Sequence, residues 1–211
     1  TITIPAGTKF STAVDGLTYT FVSIADKTVQ PVDGIYTAQS LEVYEGTYVS
    51  YNYTYDSSDI DQRFLIPSDR ADSTTIKVAV QNSASDTTSN TYTKATSITE
   101  LDSTSKVFFL QEAEDGQYEV YFGDGVIGEK LANGSRIVVT YIVSSGADAN
   151  GIQGNSNFIF SGNAVNNLLV TPTSQTVTIA NAPTTEGGAQ PETIDSIKFQ
   201  APRFYATQNR A

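Results

Sequence analysis

Apolar residues in this chain recur at every second position, over short stretches cut by Gly, Asn and Asp. That spacing places successive apolar side chains on one face of a strand, whereas a helical face repeats about every 3.6 residues. Leu17, Tyr19 and Phe21 alternate with Thr18, Thr20 and Val22. Val49, Tyr51, Tyr53 and Tyr55 share one side of a strand over 47–55. Ile76, Val78 and Val80 form another such face, and Tyr118, Val120 and Phe122 the next, opposite Glu119 and Tyr121.

Two runs are apolar on both faces: Arg136-Ile-Val-Val-Thr-Tyr-Ile-Val143 and the shorter Val107-Phe-Phe-Leu110. Such strands are central, or covered on both sides. Between the runs stand Asp15-Gly16, Asp33-Gly34, Glu45-Gly46, Asp115-Gly116, Asp124-Gly125, Asn133-Gly134 and Asn150-Gly151. Gly, Asn and Asp tolerate the positive φ of tight hairpin turns, so these pairs predict hairpins. The polar stretches 56–61 and 81–90 lack periodicity and predict loops. The fold class expected is mainly β (α+β): short antiparallel strands in one or two β units, with a helical segment at the C-terminal end.

The helix is expected from near Pro191, a residue suited to a first helical position. Glu192 and Asp195 supply the negative charge that a helix N-terminus favours. Ile194, Ile197 and Ala201 fall on one stripe, which Phe204 and Tyr205 would continue past a kink at Pro202. An apolar stripe of this kind must be buried on something. Ile194, Ile197, Arg203, Phe204, Tyr205 and Arg210 are therefore the candidate subunit-contact residues.

Composition removes whole classes of chemistry. The chain has no His, Cys or Met among its 211 residues. Without His there is no Ser-His-Asp triad, and without Cys no thiolate nucleophile or disulfide. The missing Met, initiator included, predicts a piece of a longer protein. A net charge of −11 opposes a nucleic-acid face or attraction to anionic lipid, and it serves solubility. No apolar run approaches the roughly 20 residues that span a bilayer. The expectation is no cofactor, metal, nucleic acid, membrane or small-molecule substrate.

Three motifs invite a sharper reading. Gly123-Asp124-Gly125-Val-Ile-Gly128 matches the dinucleotide fingerprint by letter, but that site needs a following helix to hold the pyrophosphate. Here Asn133-Gly134 and a further strand arrive too soon, so Gly123, Asp124, Gly125, Gly128, Asn133 and Gly134 are expected to be structural turn residues joining antiparallel strands. Asp56, Asp59 and Asp61, with Asp69 and Asp72, lack the spacing of a calcium loop. Glu112, Glu114, Asp115 and Glu119 could be a glycosidase pair only if two of them faced each other across a cleft. Solvated acidic turns explain both sets more simply.

The order of motifs resembles a known family. Arg63-Phe-Leu-Ile-Pro67, Ser73-Thr-Thr-Ile-Lys-Val78 and Val107-Phe-Phe-Leu-Gln-Glu112 come first. The block from Gly116 to Gly128, then Asn133-Gly134, Val139-Thr-Tyr-Ile-Val143 and the tail from Ile194 to Ala211 follow. This sequence of blocks resembles the baseplate wedge proteins of T4-type contractile-tailed bacteriophages, in the baseplate-J-like group. The resemblance implies a non-enzymatic structural subunit of the virion tail baseplate, assembled in the host cytoplasm. It would pair with itself within a wedge, join between wedges in a ring around the tail hub, and dock other wedge proteins. It also implies nested units: 1–43 with 140–183 as an outer β unit, 44–139 inserted, and 184–211 starting a helical segment. A carbohydrate- or receptor-binding β module of a tail fibre is the competing reading, and a carboxylate-based hydrolase a third.

Overall fold

The structure is a computed structural model describing residues 1–86, 88–153, 158–162, 179, 182–190, 198–199 and 202. Its N-terminal part consists of β1 (Ile2–Ile4), β2 (Lys9–Val14), β3 (Leu17–Ser23), β4 (Lys27–Val29), β5 (Pro31–Val32), β6 (Ile35–Tyr36) and β7 (Val43–Glu45). Asp15 and Gly16 both take positive φ, 51° and 83°, and join β2 to β3 as an antiparallel hairpin. Asp33 and Gly34, at 50° and 79°, do the same for β5 and β6. Two consecutive positive φ values give a turn whose twist matches that of the strands it joins.

The larger part consists of β8 (Thr47–Thr54), β9 (Phe64–Ile66), β10 (Lys77–Gln81), β11 (Ser89–Lys94), β12 (Val107–Glu112), β13 (Tyr118–Phe122) and β14 (Arg136–Val143). They form one seven-stranded sheet in the order β8-β14-β10-β11-β12-β13-β9. The run that is apolar on both faces, β14, lies between β8 and β10, pairing with β8 along its whole length and with β10 from Arg136 to Thr140. Val107-Phe-Phe-Leu110 lies in β12, which is likewise flanked on both sides. Ile137, Val139 and Tyr141 point into a core that also takes Ile66, Val78, Phe108 and Val120. Each such aliphatic side chain contributes about 1.5–3 kcal/mol of burial.

The sheet rolls until its two edges face each other. The Tyr53 hydroxyl on β8 donates to the Leu65 carbonyl on β9. The Tyr53 ring meets Phe64 edge-on, with centroids 5.5 Å apart. Beside them, the Gln62 side-chain amide donates to the Thr54 carbonyl at 2.8 Å. Side chains thus close a seam that no backbone ladder spans.

A final strand, β15 (Ile159–Gly162), returns to pair antiparallel with β2, completing a four-stranded sheet in the order β15-β2-β3-β7. Phe10, Phe21, Ala149 and Ile152 form its core, with Phe158, Phe160 and Ile179 packed against them.

The two sheets meet at Gly46. Its φ is +129°, and a Cβ there would lie 2.3 Å from the Val143 carbonyl oxygen, closer than any real contact. Its N–H donates to the Thr20 carbonyl at 2.9 Å. Alongside, the Ser145 N–H donates to the Glu45 carboxylate at 2.8 Å, and the Lys77 ammonium donates to the Ile24 carbonyl.

Several expectations need correcting. β11 and β12 pair in parallel, through Thr93↔Val107 and Lys94↔Phe108, so the sheet is not wholly antiparallel. Of the seven punctuating pairs only Asp15-Gly16 and Asp33-Gly34 make two-residue hairpins, because the other pairs join strands that are not ladder neighbours or fall in longer connections. β14 extends to Val143 inside the seven-stranded sheet, past the expected boundary at 139. Residues 184–190 have no helical structure, and the helix expected beyond them falls almost wholly outside the described residues.

Tyr53→Phe keeps the ring and removes the hydroxyl that bridges the seam. It should cost about 1–2 kcal/mol, the penalty of an unmade hydrogen bond, read as a lower urea midpoint at unchanged m-value. An unshifted midpoint would mean that the seam does not depend on this bridge.

Candidate functional site

The glycine block after β13 is a close crossing of backbone on backbone. A Cβ on Gly123 would lie 2.2 Å from the Gly128 carbonyl carbon. Gly125 and Gly128 take φ of +92° and +83°, and the Gly125 N–H donates to the Gly128 carbonyl at 3.1 Å. The Asp124 carboxylate accepts from the N–H groups of Val126 at 2.8 Å and Ile127 at 3.0 Å. Those backbone donors, Ile127 first, hold the Asp124 carboxyl below its usual range. The Gly128 N–H donates to the Asp102 carbonyl at 2.9 Å and the Glu129 N–H to the Ser105 carbonyl at 2.8 Å, tying the turn to the neighbouring loop. β13 and β14 are not sheet neighbours, so the block begins a crossing connection rather than a hairpin.

That connection ends at Asn133-Gly134. Gly134 has φ +82°, and its N–H donates to the Tyr55 carbonyl at 2.8 Å. The Asn133 side-chain oxygen accepts from the Ser57 N–H at 2.9 Å. This turn therefore holds the chain as it leaves β8, at one end of the seam.

The acidic residues separate by environment. Glu119 is 3% exposed, although its place in the alternation predicted a solvated side chain. The Arg63 guanidinium explains the burial. Its Nε lies 3.0 Å from both Glu119 oxygens and its Nη2 2.5 Å from Oε2. These bonds hold the Glu119 carboxyl below its usual range, against the desolvation that opposes them. A shallow cleft of about 150 Å³ lies here, with Tyr55, Phe64, Tyr121 and Phe122 in its wall. That is below the ~300 Å³ lower end of ligand pockets. Glu119 is its one lining carboxylate, and Arg63 engages both its oxygens; Glu112 and Glu114 are exposed, with Glu114 near enough to the Arg63 guanidinium to favour its charged form.

The aspartates of the loops fold their own turns. Asp56 Oδ1 accepts from the Ser58 N–H at 2.9 Å and Oγ at 2.7 Å. Asp72 does the same with Thr74, at 2.9 and 2.7 Å, and Asp102 with Thr104, both at 2.8 Å. Asp59 accepts from the Asp61 N–H at 3.1 Å and Asp86 from the Thr88 N–H at 2.8 Å. Hydrogen bonds to Ser58, Thr88 and Thr104 respectively lower the carboxyls of Asp56, Asp86 and Asp102. An aspartate two residues before a Ser or Thr carries this signal, since its carboxylate can take both N–H and O–H of that residue.

Apolar side chains stand exposed on several of the turns, Ile60 at 93% among them. Val126 is 72% exposed on the glycine block, and Val32 and Ile35 are 73% and 67% exposed across the β5–β6 ribbon. Sequence periodicity does not pick these out, because an apolar residue inside a turn belongs to no alternating run. Ile194, Ile197, Arg203, Phe204, Tyr205 and Arg210, the candidate contact residues, lie outside the described residues.

Two outcomes test this account. Gly123→Ala forces backbone apart and should lower the urea midpoint more than Gly134→Ala. At Gly134 a Cβ meets nothing within 4 Å, and only the positive φ costs, about 1–2 kcal/mol. Equal losses would reject the close-approach role. The second concerns pH. The Arg63–Glu119 pair stabilises fully above the ordinary glutamate value of 4.5, and that stabilisation is lost as pH falls through the lowered folded value. Glu119→Gln should be less stable at neutral pH and show a shallower loss of stability below pH 4.5; parallel stability–pH curves would refute it.

Comparison with known proteins supplies what geometry alone does not. Residues 47–146 match the family described as bacteriophage baseplate wedge protein gp6, third domain. These limits run from the first residue of β8 to just past β14. The baseplate wedge protein gp6 of Enterobacteria phage T4 is 30% identical over 123 residues, covering 51% of this chain and 18% of that relative. The match thus spans less than a fifth of the relative's length. From residue 47 to 146 the chain is similar to the third domain of bacteriophage baseplate wedge proteins, the family that the order of its motifs resembles.

Proposed function

We propose that this chain is a structural part of a phage tail baseplate wedge. The match of residues 47–146 to a baseplate wedge domain carries the reading, because its limits coincide with the seven-stranded unit. In this reading the protein makes and breaks no bond. It acts by holding shape, pairing with a second copy within a wedge, joining copies between wedges into a ring around the tail hub, and docking other wedge proteins. Its place is the virion tail baseplate, after assembly in the host cytoplasm.

The physical features favour such work. A rolled sheet closed by side chains resists shear, and turns tied to neighbouring loops keep their shape when pressed. Exposed Val126 on the glycine block, and Val32 and Ile35 on the β5–β6 ribbon, offer apolar contact on such supports. The nested division belongs to the same proposal. The expected outer unit of 1–43 with 140–183 around an inserted 44–139 is proposed here with its joints moved to the ends of the matched stretch 47–146, and the pairing of β15 with β2 favours such nesting. Ile194, Ile197, Arg203, Phe204, Tyr205 and Arg210 are proposed to lie in subunit contacts.

The experiment is a mass measurement of the full-length protein, alone and with candidate wedge proteins. The expected result is a self-associated species and a defined larger complex, both weakened by Ile194→Asp together with Phe204→Asp. A full-length protein that stays monomeric and binds no wedge protein would overturn the assignment.

A further inference from the structure

The stretch 182–190 has no regular secondary structure, yet it is bonded step by step to the segment 146–152. The Gly151 N–H donates to the Thr185 carbonyl at 2.9 Å, and the Thr185 N–H donates to the Ile152 carbonyl at 3.0 Å. Thr185 Oγ1 donates to the Ala149 carbonyl at 2.5 Å and accepts from the Ile152 N–H at 2.9 Å. Three residues on, the Asn150 side-chain amide takes both polar groups of Gly188. Its Nδ2 donates to the Gly188 carbonyl at 2.7 Å and its Oδ1 accepts from the Gly188 N–H at 2.9 Å.

Two glycines make the approach feasible. A Cβ on Gly188 would lie 2.3 Å from the Gly146 carbonyl oxygen and 2.9 Å from Asn150 Oδ1. Gly146 takes φ +74°, and a Cβ there would meet the Gln190 side chain at 3.1 Å. The segment 146–152 is itself anchored, because Ala149 and Ile152 are buried in the core of the four-stranded unit. It also directly follows the Gly46–Val143 joint, where Ser145 bonds Glu45.

The strap brings no comparable apolar anchor among its described residues. Pro183, Thr184, Glu186, Gly187, Ala189 and Gln190 are exposed, and Ala182, Thr185 and Gly188 are half-buried. Its hold is polar, and opening it exchanges protein hydrogen bonds for bonds to water at small net cost. The two sheets, by contrast, are held by apolar burial that water cannot replace. A segment of that kind belongs to the low-stability end of local opening.

We propose that residues 185–190 form a releasable clasp, which fixes the departure of residues 191–211 to the joint between the two sheets and can open while both sheets stay folded. When closed, a force on the tail is delivered to the segment that leaves the joint; when open, tail and joint move independently. The proposal stands whether or not the chain assembles into a ring, since its readout lies within one chain.

Gly188→Ala in the full chain is the direct test, because the added methyl enters only the clasp. Native-state hydrogen exchange and limited proteolysis read it. The amides of Gly151, Thr185 and Gly188 should exchange about tenfold faster than in the wild type, the loss of about one net hydrogen bond, with faster cleavage within 185–191. Exchange at Val78 and Val139, and the main melting transition, should not change. Thr185→Val, which removes the Oγ1 bonds without adding bulk at Gly146, should act in the same direction. Loss of protection at Val78 and Val139 in step with the clasp in both variants would overturn the proposal, by showing one cooperative unit. Unchanged clasp protection in both would overturn it as well.

Discussion

The larger unit hangs on β14. Its alternate residues Ile137, Val139 and Tyr141 fill the core, while its backbone is laddered to β8 on one side and β10 on the other. Ile142, on the opposite face, is also fully buried, with its Cγ2 against the backbone of Gly46, and the chain at Asp72 and Thr75 bonds its backbone edge. The Asp72 N–H donates to the Ile142 carbonyl at 2.8 Å, and the Ile142 N–H donates to Thr75 Oγ1 at 3.0 Å. A strand bonded on both edges, buried along one face and pinned at Ile142 on the other has little slack. Its end at Val143 therefore fixes where the backbone of Gly46 can pass, and through Gly46 it fixes how the four-stranded unit is attached.

The seam depends on the same strand at one remove. β8 is held by β14 in register from Thr47 to Thr54, which places Tyr53 so that its hydroxyl reaches β9. Burial, with Tyr51 and Tyr141 nearby, pushes the Tyr53 hydroxyl up to about 12, so it remains a donor at any physiological pH. On the far wall of the core the same logic applies to Tyr92, which burial and then the Glu129 carboxylate raise to about 12. These tyrosines give one apolar body and one fixed polar tip, which is why so many of them suit a rolled sheet.

The strands were legible because alternation is a local property. β8, β10, β13 and β14 lie where period two placed them, and the double-sided run at β14 correctly announced a flanked strand. What pairs with what was not legible. The parallel contact of β11 with β12 depends on a twelve-residue connection whose path no local pattern encodes. Glu119 sat on the face assigned to solvent because alternation cannot foresee that Arg63, 56 positions earlier, arrives beside it. The letters mark Gly123 only as a turn residue, whereas its requirement is room for Gly128. The helix stripe was read from residues that the structure does not describe, and the clasp just before it left no periodic trace, since side chains such as Asn150 and Thr185 bond backbone groups far along the chain.

Charge is where local and global readings join. A net −11 suggests repulsion that any assembling protein must overcome, yet several of these carboxylates are internally committed. Asp56, Asp72, Asp86, Asp102 and Asp124 each accept backbone N–H groups within their own turns, and Glu45 and Glu119 bond Ser145 and Arg63. An ionised acceptor roughly doubles the strength of such a bond. The acidity therefore stiffens the turns that connect the strands, and the exposed tips of those turns can be apolar, as Val126 is, without losing their shape. A surface of rigid turns with apolar tips, set among like charges that repel, favours contact through a few fitted points over indiscriminate adhesion.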